Sequence, residues 1–133
     1  MPNTTPPAPA SRPGKTAPDD RPPINAEWLT RMREQKPEFL RRLFDVFQAE
    51  EPQRLALLVQ ATLMGDLEQT RFLAHSLKGG AATLGMERLR DACRELEFAA
   101  RDGDTTAMAQ RLVPVTREME AVFLAMRTAL APV

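Results

Sequence analysis

The sequence is poor in the residues on which most enzyme and metal chemistry rests. Its 133 residues include one histidine, one cysteine, one tryptophan and no tyrosine. A single cysteine excludes an internal disulfide, and one cysteine with one histidine cannot furnish a structural zinc site. Net charge is missing as well, since 18 Lys and Arg face 18 Asp and Glu. Without a basic excess there is no broad field for nucleic-acid binding. Long apolar runs are also lacking: the longest uncharged apolar-rich stretch, Leu55 to Gly65, contains Gln60 and falls well short of the roughly 20 residues that span a bilayer. The expectation is a soluble, cytoplasmic chain with no secretory signal that engages neither nucleic acid nor membrane.

Proline, by contrast, is concentrated. Eight of the 12 prolines fall within residues 2–23, and no Leu, Ile, Val, Phe or Trp precedes Ile24. Such a segment buries too little apolar surface to offset its ordering entropy, so residues 1–23 read as a disordered Pro-rich tail and residues 24–133 as one domain. The domain is rich in Leu, Ala, Glu, Arg, Gln and Met, all good helix formers, with few β-branched Val and Ile. An all-α fold follows.

Caps set the boundaries. Asn25, Asp66 and Asp104 can each cap a helix, Pro37 suits a first turn, and Gly65, Gly85 and Gly103 are stop signals. The expected helices cover 26–35, 37–64, 67–84, 87–102 and 105–130. In the last, Met108, Leu112, Val115, Met119, Val122 and Met126 alternate spacings of four and three, a bundle seam. Pro52 and Pro114 are expected to kink or interrupt their helices. Short connections imply an up-down-up-down antiparallel four-helix bundle, with the short N-terminal helix packed over one end. A monomer is expected.

On a helical wheel of residues 67–84, Thr70, Leu73, Ala74, Leu77, Ala81 and Leu84 share one arc, the core face. His75 lies about 140° from the centre of that arc, on the solvent side. Its neighbours on the open face are small, Gly79 and Ala82, with Lys78 within reach. Gly79 and Gly80 each cost a helix on the order of 1 kcal/mol relative to Ala, a local conflict expected where function overrides stability. Gly80, at the margin of the core arc, can equally serve close packing.

A lone exposed imidazole beside a lysine and a glycine clearing suits little familiar chemistry. Metal binding needs more ligands, and a Ser-His-Asp arrangement fails because Ser76 points about 100° away from His75. A neutral imidazole can act as a nucleophile toward phosphorus, with the lysine balancing phosphoryl charge and the glycine admitting another protein.

The stretch AHSLKGGAATLG from Ala74 to Gly85, followed by Leu89, Cys93, Leu96 and Glu97 and ending in RDGD at Arg101 to Asp104, resembles the histidine-containing phosphotransfer (HPt) domain of multistep phosphorelays. The resemblance makes His75 the phospho-acceptor through Nε2, Lys78 the cation beside the phosphoryl group, Gly79 the clearance for the partner's active site and Gly85 the tight exit from the helix. It offers Glu97 as the residue that orients the imidazole, where an ordinary solvated helix charge is the other reading. Many relatives carry Ser where Gly80 stands. Cys93 reads as a small core residue.

The implied function is a relay intermediate that accepts a phosphoryl group from a receiver-domain phospho-aspartate and passes it to another receiver, without kinase activity of its own. Implied partners are response-regulator receiver domains or a hybrid histidine kinase. No cofactor is expected in this chain, Mg²⁺ being supplied by the receiver. Phe72, Arg71, Gly79 and Ala82 are the candidate docking residues, although Phe72 can instead pack under helix 26–35. Two other classes stay open: an adaptor or inhibitor that docks a receiver or kinase without accepting phosphate, and a small helical enzyme whose Arg and Lys converge inside the bundle.

Overall fold

Helix starts follow the side chains able to cap them. Asn25 Oδ1 accepts from the Trp28 amide at 2.9 Å, Asp66 Oδ1 from Gln69 at 3.0 Å, and Asp104 Oδ1 from Ala107 at 2.9 Å. Each satisfies an amide that the first turn leaves without a carbonyl. Pro37 opens its helix at a position that needs no N–H. The computed structural model describes residues 19–130, with α1 at Ala26–Gln35, α2 at Pro37–Leu63, α3 at Leu67–Thr83, α4 at Glu87–Arg101 and α5 at Thr105–Leu130.

Three-residue links join the last four helices, so successive helices run antiparallel. Each packs on the next, and α5 returns to pack on α2, closing an all-helical bundle. The α5 seam is buried throughout, as is every residue of the expected core arc of α3. Phe47 of α2 meets Phe123 of α5 edge to face with ring centroids 5.8 Å apart, a favoured aromatic geometry. Pro52 and Pro114 interrupt neither α2 nor α5. Each removes one N–H donor, and neither ring is buried, so the bypassed carbonyl lies near water.

The chain before α2 is tied to one end of the bundle. The Asn25 amide donates to Gly85 O at 2.7 Å, and Arg33 donates to Ala129 O at 3.1 Å, so α1 touches both the α3–α4 turn and the end of α5. Of the tail expected over residues 1–23, residues 1–18 lie outside the described residues. Residues 19–23 lie against α4: Arg21 pairs with Asp91 at 3.0 Å, and Arg88 donates to Arg21 O at 2.9 Å. Arg88 is half-buried because it also pairs with Glu118 of α5 at 2.9 Å.

The α3–α4 turn depends on Gly85. Its φ of +71° lies in the left-handed region, and a Cβ there would stand 3.3 Å from the Trp28 ring and 3.4 Å from Asn25. Both the backbone and the space therefore demand glycine. Gly85→Ala is expected to destabilise the fold by about 1–2 kcal/mol in urea unfolding, with α1 losing hydrogen-exchange protection first.

Candidate functional site

His75 occupies the middle of α3, next to Ala74 and two residues before Leu77, both of which face the core. The backbone that buries those two side chains turns the imidazole outward, and its side chain is 64% exposed. Across the α3–α4 interface stands Glu97, which is 2% exposed. The solvated reading of Glu97 is therefore excluded. The carboxylate lies close beneath the surface, covered by the side chains that bind it rather than by depth.

Three groups converge on it. His75 Nδ1 lies 2.9 Å from Glu97 Oε2, Arg101 Nη2 donates to the same oxygen at 3.2 Å, and Lys78 Nζ stands 2.7 Å from Oε1. The lysine contact is a close ion pair. Burial by itself would raise the Glu97 carboxyl, but the contacts and charges of Lys78 and His75 outweigh it and hold the group below its ordinary value. An ionised carboxylate only accepts, so Nδ1–H of His75 donates to Oε2. In the neutral ring that leaves the lone pair on Nε2.

Beyond the imidazole the surface is cleared. A Cβ placed on Gly79 or on Gly80 would meet nothing within 4 Å. The packing role open to Gly80 is thus not realised, and both glycines face free space. Phe72 is 62% exposed and does not pack under α1, and Arg71 and Ala82 are exposed as well. The open face therefore carries Arg71, Phe72, His75, Gly79, Gly80 and Ala82, with Lys78 at its edge.

Arg101 and Phe98 belong to this face although the sequence reading passed over them as site residues. Arg101 lies with its guanidinium carbon 5.4 Å from the Phe98 ring centre and pairs with Glu97 one turn earlier. The signal was the four-residue spacing from Glu97 to Arg101, a favourable pairing on any helix. Cys93 is buried, and burial, with Glu51 and Glu97 adding to it, pushes its thiol up to about 12, which leaves it without thiolate reactivity. Among the described residues no three His, Cys, Asp or Glu come together as a metal site, and no helix is long and apolar enough to cross a membrane. Arg41, Arg42, Arg88, Arg90 and Arg94 are all at least partly exposed, so they build no cationic interior.

The family model of the Hpt domain matches residues 42–131. The crystal structure of histidine-containing phosphotransfer protein B (HptB) from Pseudomonas aeruginosa PAO1 is similar with a TM-score of 0.72 and 30% sequence identity, covering 80% of this chain and 93% of that one. No match is found among curated protein sequences. The chain belongs to the Hpt domain family, whose members are phosphotransfer carriers.

Two stability measurements test the site. Because neither glycine side meets a neighbour, Gly79→Ala and Gly80→Ala should each raise stability by about 0.5–1 kcal/mol in urea titration. Glu97 has a lowered folded-state value, so its contribution is fully present above its ordinary 4.5 and is lost as pH falls through the folded value. Glu97→Ala is expected to cost about 1–2 kcal/mol at neutral pH, and the gap to wild type should close on acidification in pH-dependent unfolding.

Proposed function

We propose that the chain is a phosphorelay intermediate whose phospho-acceptor is His75 Nε2. The observation that carries this reading is the exposed imidazole tethered through Nδ1 to the covered carboxylate of Glu97, with two unobstructed glycines after it. The tether leaves the lone pair on Nε2 and holds the ring against rotation, so the nucleophile is positioned before a partner arrives. A receiver bearing a phospho-aspartate docks over Phe72, Arg71, Gly79 and Ala82. Nε2 then attacks phosphorus: the N–P bond forms, the bond between phosphorus and the aspartyl oxygen breaks, and the carboxylate leaves with its electron pair.

The Nδ1 proton remains on the hydrogen bond to Glu97, which offsets positive charge developing on the ring. Lys78, one turn on, supplies an ammonium for the phosphoryl oxygens. The clearance at Gly79 lets the partner's backbone approach to bonding distance. The reverse sequence returns the group to a second receiver. In this reading the chain forms no phosphoryl group from nucleotide, and any Mg²⁺ is held by the receiver's carboxylates.

Incubation with a phosphorylated receiver is expected to label the chain with phosphate that is acid-labile and base-stable, and His75→Gln is expected to carry none. Label that survives in His75→Gln, or its absence from wild type across several receivers, would overturn the assignment. Gly79→Leu should retain the helical circular dichroism signal while losing transfer by at least about a hundredfold, the scale on which a misplaced reacting geometry costs rate.

A further inference from the structure

A chain neutral in sum need not be neutral everywhere, and the surface around His75 is not. On α4, Arg90, Arg94 and Arg101 stand seven and three residues before Glu97 and four after it. At 100° per residue all three fall within about 60° of Glu97, on the side away from the buried Leu89, Cys93, Leu96 and Ala100. On α3, Arg71 and Lys78 lie one turn before and one turn after His75. The contact of His75 with Glu97 marks the antiparallel register, in which Arg71 comes level with Arg101 and Lys78 level with Arg94.

Acidic compensation is thin here. Asp91 is shared by Arg90 at 2.9 Å, Arg94 at 3.5 Å and Arg21 at 3.0 Å, of which Arg21 is also held by Asp19 at 2.6 Å. Glu97 alone is shared by Lys78, Arg101 and His75. Arg71 pairs with no carboxylate among the described residues. Glu95 lies only ~3 Å along α4 from Glu97 but about 160° around the helix from it, on the side away from the arginines; the other carboxylates, Glu68 and Asp102 toward one end and Glu87 toward the other, lie ~7–15 Å along the helices from the His75 level. At physiological salt that approaches or exceeds the screening length of about 8 Å.

We propose that this basic surround selects the partner: the receiver that docks on His75 carries an acidic rim around its phospho-aspartate, read by Arg71 and Arg94. The proposal rests on the phosphorelay reading above and adds the chemistry of the partner. Exposed rim charges act on encounter and on the rejection of like-charged partners, leaving the chemical step unchanged. Apolar contact at Phe72 supplies adhesion without discrimination, and the arginines supply the discrimination.

The test uses the full chain and two phosphorylated receivers as probes, one with an acidic and one with a basic surface around its phospho-aspartate. Transfer from the acidic receiver should be at least about tenfold faster at low salt, and it should slow at least about tenfold between about 0.02 and 0.5 M NaCl. Arg71→Glu with Arg94→Glu should reproduce that tenfold loss at low salt while leaving the melting temperature unchanged. Transfer that is indifferent to salt and to receiver charge, or faster from the basic receiver, overturns the proposal while the relay reading stands. Should the double variant fail to fold, the salt and receiver-charge dependence of the wild type decides by itself. If neither receiver labels His75, the relay reading has failed and the proposal falls with it.

Discussion

Everything at the site hangs on one carboxylate taken out of water. An isolated buried Glu would cost several kcal/mol and would take up a proton instead. Glu97 stays ionised because Lys78, Arg101 and His75 all bring donors or positive charge to its two oxygens. The dependence is mutual: the carboxylate needs the imidazole as a partner, and the imidazole owes its orientation and tautomer to the carboxylate. The arrangement further requires that α3 and α4 meet in one register. That register follows from the Gly85 turn, whose left-handed backbone brings the chain around in three residues and leaves room for Trp28.

The glycine pair shows a compromise between fold and access. Gly79 and Gly80 weaken α3 intrinsically, and nothing inside the molecule takes advantage of the space they leave. The loss is tolerable because the same helix buries Thr70, Leu73, Ala74, Leu77 and Ala81 on its other face, so tertiary packing sustains what local propensity opposes. What remains is a convex, cleared surface with a tethered imidazole at its centre. Such a surface suits an encounter with another protein better than capture of a small molecule, which calls for concavity.

Charge follows the same division between whole and part. Total neutrality keeps the molecule from attracting every polyanion, while carboxylates shared among several cations leave a local positive surplus beside His75. Arg21 extends this network toward the N-terminus, where Asp91 and Arg88 tie residues before α1 to α4. The chain just ahead of the domain thus contributes to the α4 surface.

Much of the fold was legible in the sequence because its signals are local. Caps at Asn25, Asp66 and Asp104, stops at Gly65, Gly85 and Gly103, and the seam of α5 act within a turn or two of chain, and all lie where periodicity placed them. The outward direction of His75 was legible for the same reason, since the wheel needs only its helical neighbours. Glu97 was ambiguous because its burial depends on another helix, 22 residues away. Arg101 went unnoticed as a site residue because its role exists only once Glu97 is occupied by His75. The open space at Gly80, the exposure of Phe72 and the docking of Arg21 on Asp91 likewise required the helices to be placed against one another. The sequence by itself determined the helices, their caps and the face each turns to the core, because those follow from interactions between residues three or four apart. Only the tertiary structure decided which charges share a carboxylate and which surfaces stay free, because those depend on the register between chain segments that local sequence does not encode.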